Sequence, residues 1–233
     1  MDGIPTTPDL SLEIPLWQGG LTHVAGLDEA GRGAWAGPVT AAAVILPADC
    51  SILERLHGVR DSKCMTPKQR ETWEKKIKQA VPGWGVGHAS NHEIEEVGIV
   101  QATRFAMQRA LAALSIHPDY LLLDAVVLSE ETLPQTSLYK GDALSLSISA
   151  ASVIAKTARD RLMAALDREY PLYGFARHKG YGTAQHRTNL HRLGPCEIHR
   201  ATYQPVLNWR LDLAENDAIQ PPRTSRQDIV CKT

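Results

Sequence analysis

At 233 residues and 43% hydrophobic content, the chain is long enough to bury one large core, and its composition excludes gross disorder. Lysine and arginine total 25 against 26 acidic residues, so an anionic partner must be met by a local basic surface and not by overall charge. The four cysteines, Cys50, Cys64, Cys196 and Cys231, show neither CxxC pairing nor the histidine spacing of a zinc site, which argues against zinc and disulfides. The opening MDGIPTTPDLSLEIP has no signal-peptide pattern, and no apolar run approaches the roughly 18 residues of a membrane span. A soluble, cytoplasmic protein without membrane association is expected.

In chain order, residues 24–27 and 39–46 (VTAAAVIL) are expected strands joined by a glycine-rich turn, and 84–90 a third; their close spacing suggests an antiparallel meander. The stretch GLDEAGRGAWAGPV (26–39) sets Asp28 and Glu29 side by side at the end of the first strand. Neighbouring side chains of a regular strand face opposite sides, so both serve one site only if the backbone turns or one contributes differently. Thr66-Pro67-Lys68-Gln69 has the form of a helix start, and the helix should run to about Ala80. Residues 99–114 carry apolar groups at helical spacing, His117-Pro118 stops that helix, and YLLLD (120–124) is a buried strand ending on Asp124. SLYKGD places Asp142 just past another short extended piece. A strong helix is expected over 148–166 and another over 183–193, ending at Gly194. Residues 213–233, with Pro221-Pro222 and few large apolar groups, are expected to form a frayed tail.

Acidic residues thus recur at strand ends: Asp28 and Glu29, then Asp124, then Asp142. If the strands are neighbours in one sheet, four carboxylates converge, and their repulsion and desolvation require a cation. Oxygen ligands favour Mg²⁺ or Mn²⁺ over zinc. Two such ions about 3.5–4 Å apart can activate a water and stabilise the leaving oxygen of an in-line phosphodiester displacement, with no nucleophilic side chain. Position alone does not separate this arrangement from ordinary solvated strand termini.

GLDEAGRGAWAGPV, DSK (61–63), LLLDA (121–125), KGD (140–142), ISAASVIAK (148–156), HKGYGT (178–183) and HRATYQPV (199–206) occur in the order found in bacterial ribonuclease HII, which the chain resembles over about residues 22–207. The resemblance implies an α/β, ribonuclease H-like fold: a five-stranded mixed sheet flanked by helices, with a helical C-terminal extension. Its catalytic core would span 22–170 and a helical substrate-binding portion 171–212, leaving 1–21 as an N-terminal segment and 213–233 as a flexible tail. It implies that Asp28, Glu29, Asp124 and Asp142 form the catalytic, metal-binding quartet for Mg²⁺ or Mn²⁺. In that scheme Asp28 bridges two ions, and Glu29 orients water or a neighbouring group. Gly31, Arg32 and Gly33 match the loop whose backbone contacts the ribose 2′-hydroxyl, and Tyr181 matches the tyrosine that packs on the sugar after the ribonucleotide. Ser62 and Lys63 are substrate-binding candidates because DSK fits the family. The implied activity is endonucleolytic cleavage of the RNA strand of RNA–DNA hybrids. Single ribonucleotides in duplex DNA would be cut on their 5′ side, leaving 3′-hydroxyl and 5′-phosphate ends. The protein would act as a monomer in ribonucleotide removal during DNA replication and repair.

Lys63, Lys140, Lys156, Arg177, Lys179, Arg187 and Arg200 are candidates to contact phosphates along the duplex, or else form solvated faces; the same choice holds for Lys68, Arg70, Lys75, Lys76 and Lys78. The match departs from the family at Cys64-Met65-Thr66, at Gly98, where asparagine is common, and at Tyr203, where phenylalanine is common. A junction resolvase on the same fold, or a binding module without turnover, would share parts of this pattern. The former needs the quartet but not a 2′-hydroxyl sensor, and the latter needs no intact quartet.

Overall fold

In the computed structural model, which describes residues 7–209, the elements run α1 (Glu13–Gln18), β1 (Val24–Ala30), β2 (Val39–Ile45), α2 (Ile52–Arg55), α3 (Pro67–Ala80), β3 (Gly83–Ala89), α4 (Asn91–Ala112), β4 (Tyr120–Asp124), β5 (Gln135–Leu138), α5 (Gly141–Leu144), α6 (Leu146–Glu169), α7 (Phe175–His178) and α8 (Ala184–Leu193). The tail expected over 213–233 lies outside the described residues. The strands form one five-stranded sheet in the order β3-β2-β1-β4-β5. β1, β2 and β3 pair antiparallel, as the meander expectation has it, whereas β4 joins β1, and β5 joins β4, in parallel. The sheet is therefore mixed, with β1 at its centre.

Helices cover both faces, which explains why VTAAAVI reads as a continuous apolar run: every residue of β2 is buried. On one face Ala42 and Val44 pack with Ile77 of α3 and with Ala150, Ala151 and Ile154 of α6. On the other, Leu27, Ala41, Ala43, Leu121 and Leu123 pack with Ala102, Ala106 and Ala110 of α4. Small residues set how closely the layers approach. A Cβ on Gly26 would lie 2.2 Å from the Ser147 carbonyl carbon and 2.4 Å from the Ile148 nitrogen, so β1 and the start of α6 are nearly in backbone contact.

Helix α3 begins as the sequence predicts, with Thr66 and Gln69 forming a reciprocal capping box and Pro67 in the first turn. Helix α4 begins earlier than residue 99. Ser90 and Glu93 form a second capping box, and the helix breaks at Gly98, whose φ of +78° favours glycine. The expected helix is thus the second of two pieces, and the Gly98 departure marks the joint. Helix α6 also starts sooner, at Leu146, with the Ser145 side chain capping the Ile148 N–H. Glu13 of α1 is fully buried against this helix start, where it accepts from the Ser145 hydroxyl (2.6 Å), the Ser147 N–H (3.0 Å) and the Ser147 hydroxyl (2.7 Å). Burial pushes its carboxyl up, and those hydrogen bonds oppose the rise.

Beyond α6, Tyr173, Phe175 and Ile198 pack on Ala36 and Met163. Three buried histidines accompany them. His186 Nδ1 lies 3.0 Å from the Tyr181 carbonyl, which can only accept, so that nitrogen carries the proton. His186 Nε2 therefore accepts from His199 Nε2–H (3.1 Å), and His199 Nδ1 accepts from the Cys196 N–H (3.0 Å). In this arrangement the His186 ring is neutral. Burial, then the neighbouring His178, pushes His186 down to about 4. Among the described residues, no helix is long and apolar enough to cross a membrane.

Two outcomes follow from this packing. Gly26→Ala should lower stability by about 1–3 kcal/mol, because the clash is with helix backbone that cannot rotate away; a chemical-denaturation midpoint equal to wild type would refute the close approach. His186 binds its proton less readily folded than unfolded, so its contribution is complete above its ordinary value of 6.5 and is lost as pH falls toward about 4. The melting temperature should fall across that window, and His186→Gln, though less stable at neutral pH, should show a shallower dependence.

Candidate active site

The register of the parallel pair builds the centre. Leu27 of β1 sits opposite Leu123 of β4, so the next residues, Asp28 and Asp124, lie side by side. Asp124 accepts a 2.7 Å hydrogen bond from the Gly141 N–H, which brings in Asp142 one residue later. Oxygens of Asp28, Asp124 and Asp142 all lie within 4.8 Å of one another. Asp142 stands in the short α5 and not at a strand end, because Lys140 (φ +56°) turns the chain into that helix. Ala125, directly after Asp124, is likewise at φ +53°. Left-handed backbone at two residues that are not glycine brackets the pair, a conformation that persists only where its surroundings enforce it.

Glu29 occupies the same cleft but stands outside the trio. β1 pairs regularly through Ala30, so the strand does not turn, and the pleat sends Asp28 and Glu29 to opposite faces. Glu29 Oε1 accepts from Arg32 Nη1 at 3.2 Å, and its Oε2 is buried with no hydrogen-bond partner among the described residues. Ser62 is buried, its hydroxyl 2.8 Å from that of Ser152 on α6. Lys63 Nζ is 3.1 Å from Asp142 Oδ2.

A cleft of about 490 Å³ is lined by Asp28, Glu29, Gly31, Arg32, Gly33, Ser62, Lys63, Asp124 and Tyr181, together with Arg70, Ser152 and Lys156. An adjoining groove of about 500 Å³ shares Arg70, Lys156 and Tyr181 and adds Arg161, Arg177 and Lys179. Lys156 Nζ and the Arg159 guanidinium lie 5.4 and 5.3 Å from the centre of the Tyr181 ring. Two of the basic residues are placed differently from expectation. Arg200 is fully buried beneath the glycine loop, donating to backbone carbonyls, so it reaches no phosphate. Arg70 is buried in an ion pair with Asp160 at 2.8 Å and not on the wet side of α3. Arg187 lies over Trp35 in a separate hollow. Sequence reasoning missed Ser152 and Arg159, which sit among several other polar residues of α6 and carry no local signal that sets them apart.

The electrostatics favour a cation. Burial first, then the charges of Glu29 and Asp124, hold the Asp28 carboxyl well above its ordinary range, with a Ser152 hydrogen bond opposing and Asp142 adding to the rise. Burial also raises Asp124, while the Gly141 N–H opposes it. Glu29 is raised by burial and held back by Arg32. Partial burial works against the Lys63 ammonium, but Asp142 and Asp61 hold it above its ordinary range. Three crowded carboxylates and a partnerless buried glutamate oxygen form a hard-oxygen donor set that fits a divalent ion such as Mg²⁺ or Mn²⁺.

The ribonuclease HII family model matches residues 25–206. Ribonuclease HII of Chloroflexus aurantiacus is 51% identical over 210 residues, covering 90% of this chain and 99% of that protein. Its counterpart in Roseiflexus castenholzii is 48% identical over 221 residues, covering 94% and 98%. Among solved structures, ribonuclease H2 from Pyrococcus horikoshii OT3 superposes with a TM-score of 0.68 at 29% identity, covering 83% of this chain and 99% of that one. Bst-RNase HIII in complex with Mn²⁺ shares the fold, with a TM-score of 0.65 at 19% identity over 84% and 71% of the two chains. The chain belongs to the ribonuclease HII family and is an endonuclease of the ribonuclease H type, acting on RNA–DNA hybrids.

Proposed function

We propose that this enzyme hydrolyses the phosphodiester on the 5′ side of a ribonucleotide, in RNA–DNA hybrids and at single ribonucleotides within duplex DNA. The products carry 3′-hydroxyl and 5′-phosphate ends, and the activity serves ribonucleotide removal in DNA replication and repair. The observation that carries this reading is the convergence of Asp28, Asp124 and Asp142, the first two of which line a cleft together with Gly31, Arg32 and Gly33. The enzyme works as a monomer in the cytoplasm.

Asp28, Asp124 and Asp142 would hold the divalent ions, Mg²⁺ or Mn²⁺, and Asp28, whose carboxyl is raised by burial and by Glu29, Asp124 and Asp142, is the group whose charge an ion would relieve most. Bound there, the ions supply Lewis-acid activation of a water and stabilisation of the leaving oxygen. Glu29, tethered by Arg32 on the opposite side of the strand, orients that water. The ammonium of Lys63, drawn to Asp142, meets a substrate phosphate together with the Ser62 segment. Gly31, Arg32 and Gly33 present main chain to the ribose 2′-hydroxyl, the group that separates RNA from DNA at one position. Tyr181, backed by two cations, offers ring surface to the sugar that follows. Lys156, Arg177 and Lys179 continue a basic groove for the duplex backbone.

End-labelled duplexes carrying no, one or several ribonucleotides, incubated with and without Mg²⁺, test the reading. Cutting should require the metal and a ribonucleotide, and Asp124→Asn should lose at least the roughly 10–100-fold that removing a supporting metal-site group costs. Equal cutting of all-DNA duplex would indicate a resolvase, and a fully active Asp124→Asn enzyme would remove the metal site from the mechanism. A second measurement needs no turnover. In chelator, Asp28→Asn should melt above wild type because a repelling buried charge is gone, and added Mg²⁺ should raise wild type far more than the variant. Identical Mg²⁺ responses of the two proteins would count against the trio as the binding site.

A further inference from the structure

Arg159 and Arg200 are the largest fully buried side chains, and among the described residues neither forms an ion pair with a carboxylate. Burying a guanidinium without a counter-charge is costly, and an apolar side chain would fill the space without that cost. What they do instead is hold main chain. Arg159 donates to the carbonyls of Ala36, Pro38 and Lys179, and its side chain lies where a Cβ on Gly31 would be, 1.9 Å from its Nε. Arg200 donates from Nη2 to the Gly31 carbonyl and from Nη1 to the Arg32 carbonyl, both at 2.8 Å, and from Nε to the Gly37 carbonyl at 2.9 Å. The Tyr203 hydroxyl donates to the same Arg32 carbonyl at 2.7 Å and accepts from Arg200 Nη1 at 3.0 Å.

The carbonyl of Arg32 therefore has both acceptor positions filled from the buried side. A trans peptide sets N–H opposite C=O. With the Gly31 and Arg32 carbonyls drawn down onto Arg200, the N–H groups of Arg32 and Gly33 point away from it, into the cleft that these residues line. Neither N–H donates to another described residue. They form a fixed pair of donors spaced along one loop.

We propose that Arg200 and Tyr203 are positioning residues for ribose recognition: they clamp the Gly31 and Arg32 carbonyls inward so that the Arg32 and Gly33 N–H groups donate to the 2′-hydroxyl oxygen. The inference rests on the proposed ribose-reading role of this loop. It also gives a task to the hydroxyl of Tyr203. A phenylalanine there would keep the ring that lies 5.0 Å from the Arg200 guanidinium and would lose only the two hydrogen bonds. Tyr203→Phe is for that reason the discriminating variant.

The test is equilibrium binding in Ca²⁺, used in place of the working ion to hold the duplex uncut. It compares a DNA duplex containing one ribonucleotide with the all-DNA duplex of the same sequence, for wild type, Tyr203→Phe and Arg200→Lys, with melting temperatures recorded beside them. Wild type should prefer the ribonucleotide duplex. Tyr203→Phe should narrow that preference about threefold to tenfold by weakening the ribonucleotide complex alone, the loss expected for the one of its two hydrogen bonds that holds the loop directly, to the Arg32 carbonyl. Arg200→Lys, which keeps the charge but not the planar fork, should narrow it further. If Arg200→Lys fails to fold, Tyr203→Phe alone decides. Variants that keep the wild-type preference, or that lose affinity for both duplexes in parallel with a lowered melting temperature, overturn the proposal. A wild-type enzyme with no preference would instead fail the ribose-reading role of the loop itself, which separates the two claims.

Discussion

Everything at the active site depends on holding three carboxylates closer together than their charges favour. Oxygens of Asp28, Asp124 and Asp142 crowd within 4.8 Å in a buried setting, where repulsion is weakly screened. No local interaction supplies that constraint. It comes from the parallel register of β1 and β4, which sets Asp28 beside Asp124, and from the Asp124–Gly141 hydrogen bond, which pulls the Asp142 turn inward. The core on both faces of the sheet fixes the register, since a one-residue slip would turn Leu121 and Leu123 out of the α4 face and Asp28 away from its partners. Hydrophobic burial is thus converted into electrostatic crowding, which a divalent ion then relieves.

Cations surround this anionic centre at graded depths. Lys63 is exposed and drawn to Asp142, while Arg32 tethers Glu29 from the cleft wall. Lys156 and Arg70 share Asp160, which leaves them ordered but partly neutralised at the junction of cleft and groove. Arg159 and Arg200 are fully enclosed. Only the outer group can follow a moving phosphate. The enclosed pair act through the main chain they hold, and desolvation, the first cause, pushes Arg159 down to about 10, a value that leaves it charged at neutral pH.

Much of this was legible in the sequence, for identifiable reasons. Strands buried on both faces announce themselves as unbroken apolar runs, so β2 and β4 were placed to within a residue, and the threonine–proline start of α3 carries its own capping chemistry. The break at Gly98 hid the first turns of α4, because glycine inside a helical pattern reads as its boundary. Asp28, Asp124 and Asp142 were legible as acids closing strands, although Asp142 proved to lie in a helical turn. The separation of Glu29 from the trio follows from the pleat and could be posed, but not decided, before the pairing of β1 was known. Arg200 was misread as a surface cation. Charge and composition say nothing of depth, and the carbonyls that satisfy it come from residues more than 160 positions away in the chain.

Helix α6 is where these separate demands meet. Ser152, Lys156 and Arg159 follow one another at spacings of four and three, which places them on one face of the helix. Ser152 meets Asp28 and Ser62, Lys156 approaches the Tyr181 ring, and Arg159 fills the space under Gly31 while holding the Lys179 carbonyl two residues before Tyr181. One rigid helical face therefore sets the carboxylates, Tyr181 and the glycine loop in a common frame, and the near contact of its first turn with Gly26 locks that frame to β1. Groups that act on one substrate gain from being registered to the same element. The same arrangement accounts for three of the polar side chains of α6: Ser152, Lys156 and Arg159 each stand where the helix passes beneath a different part of the cleft.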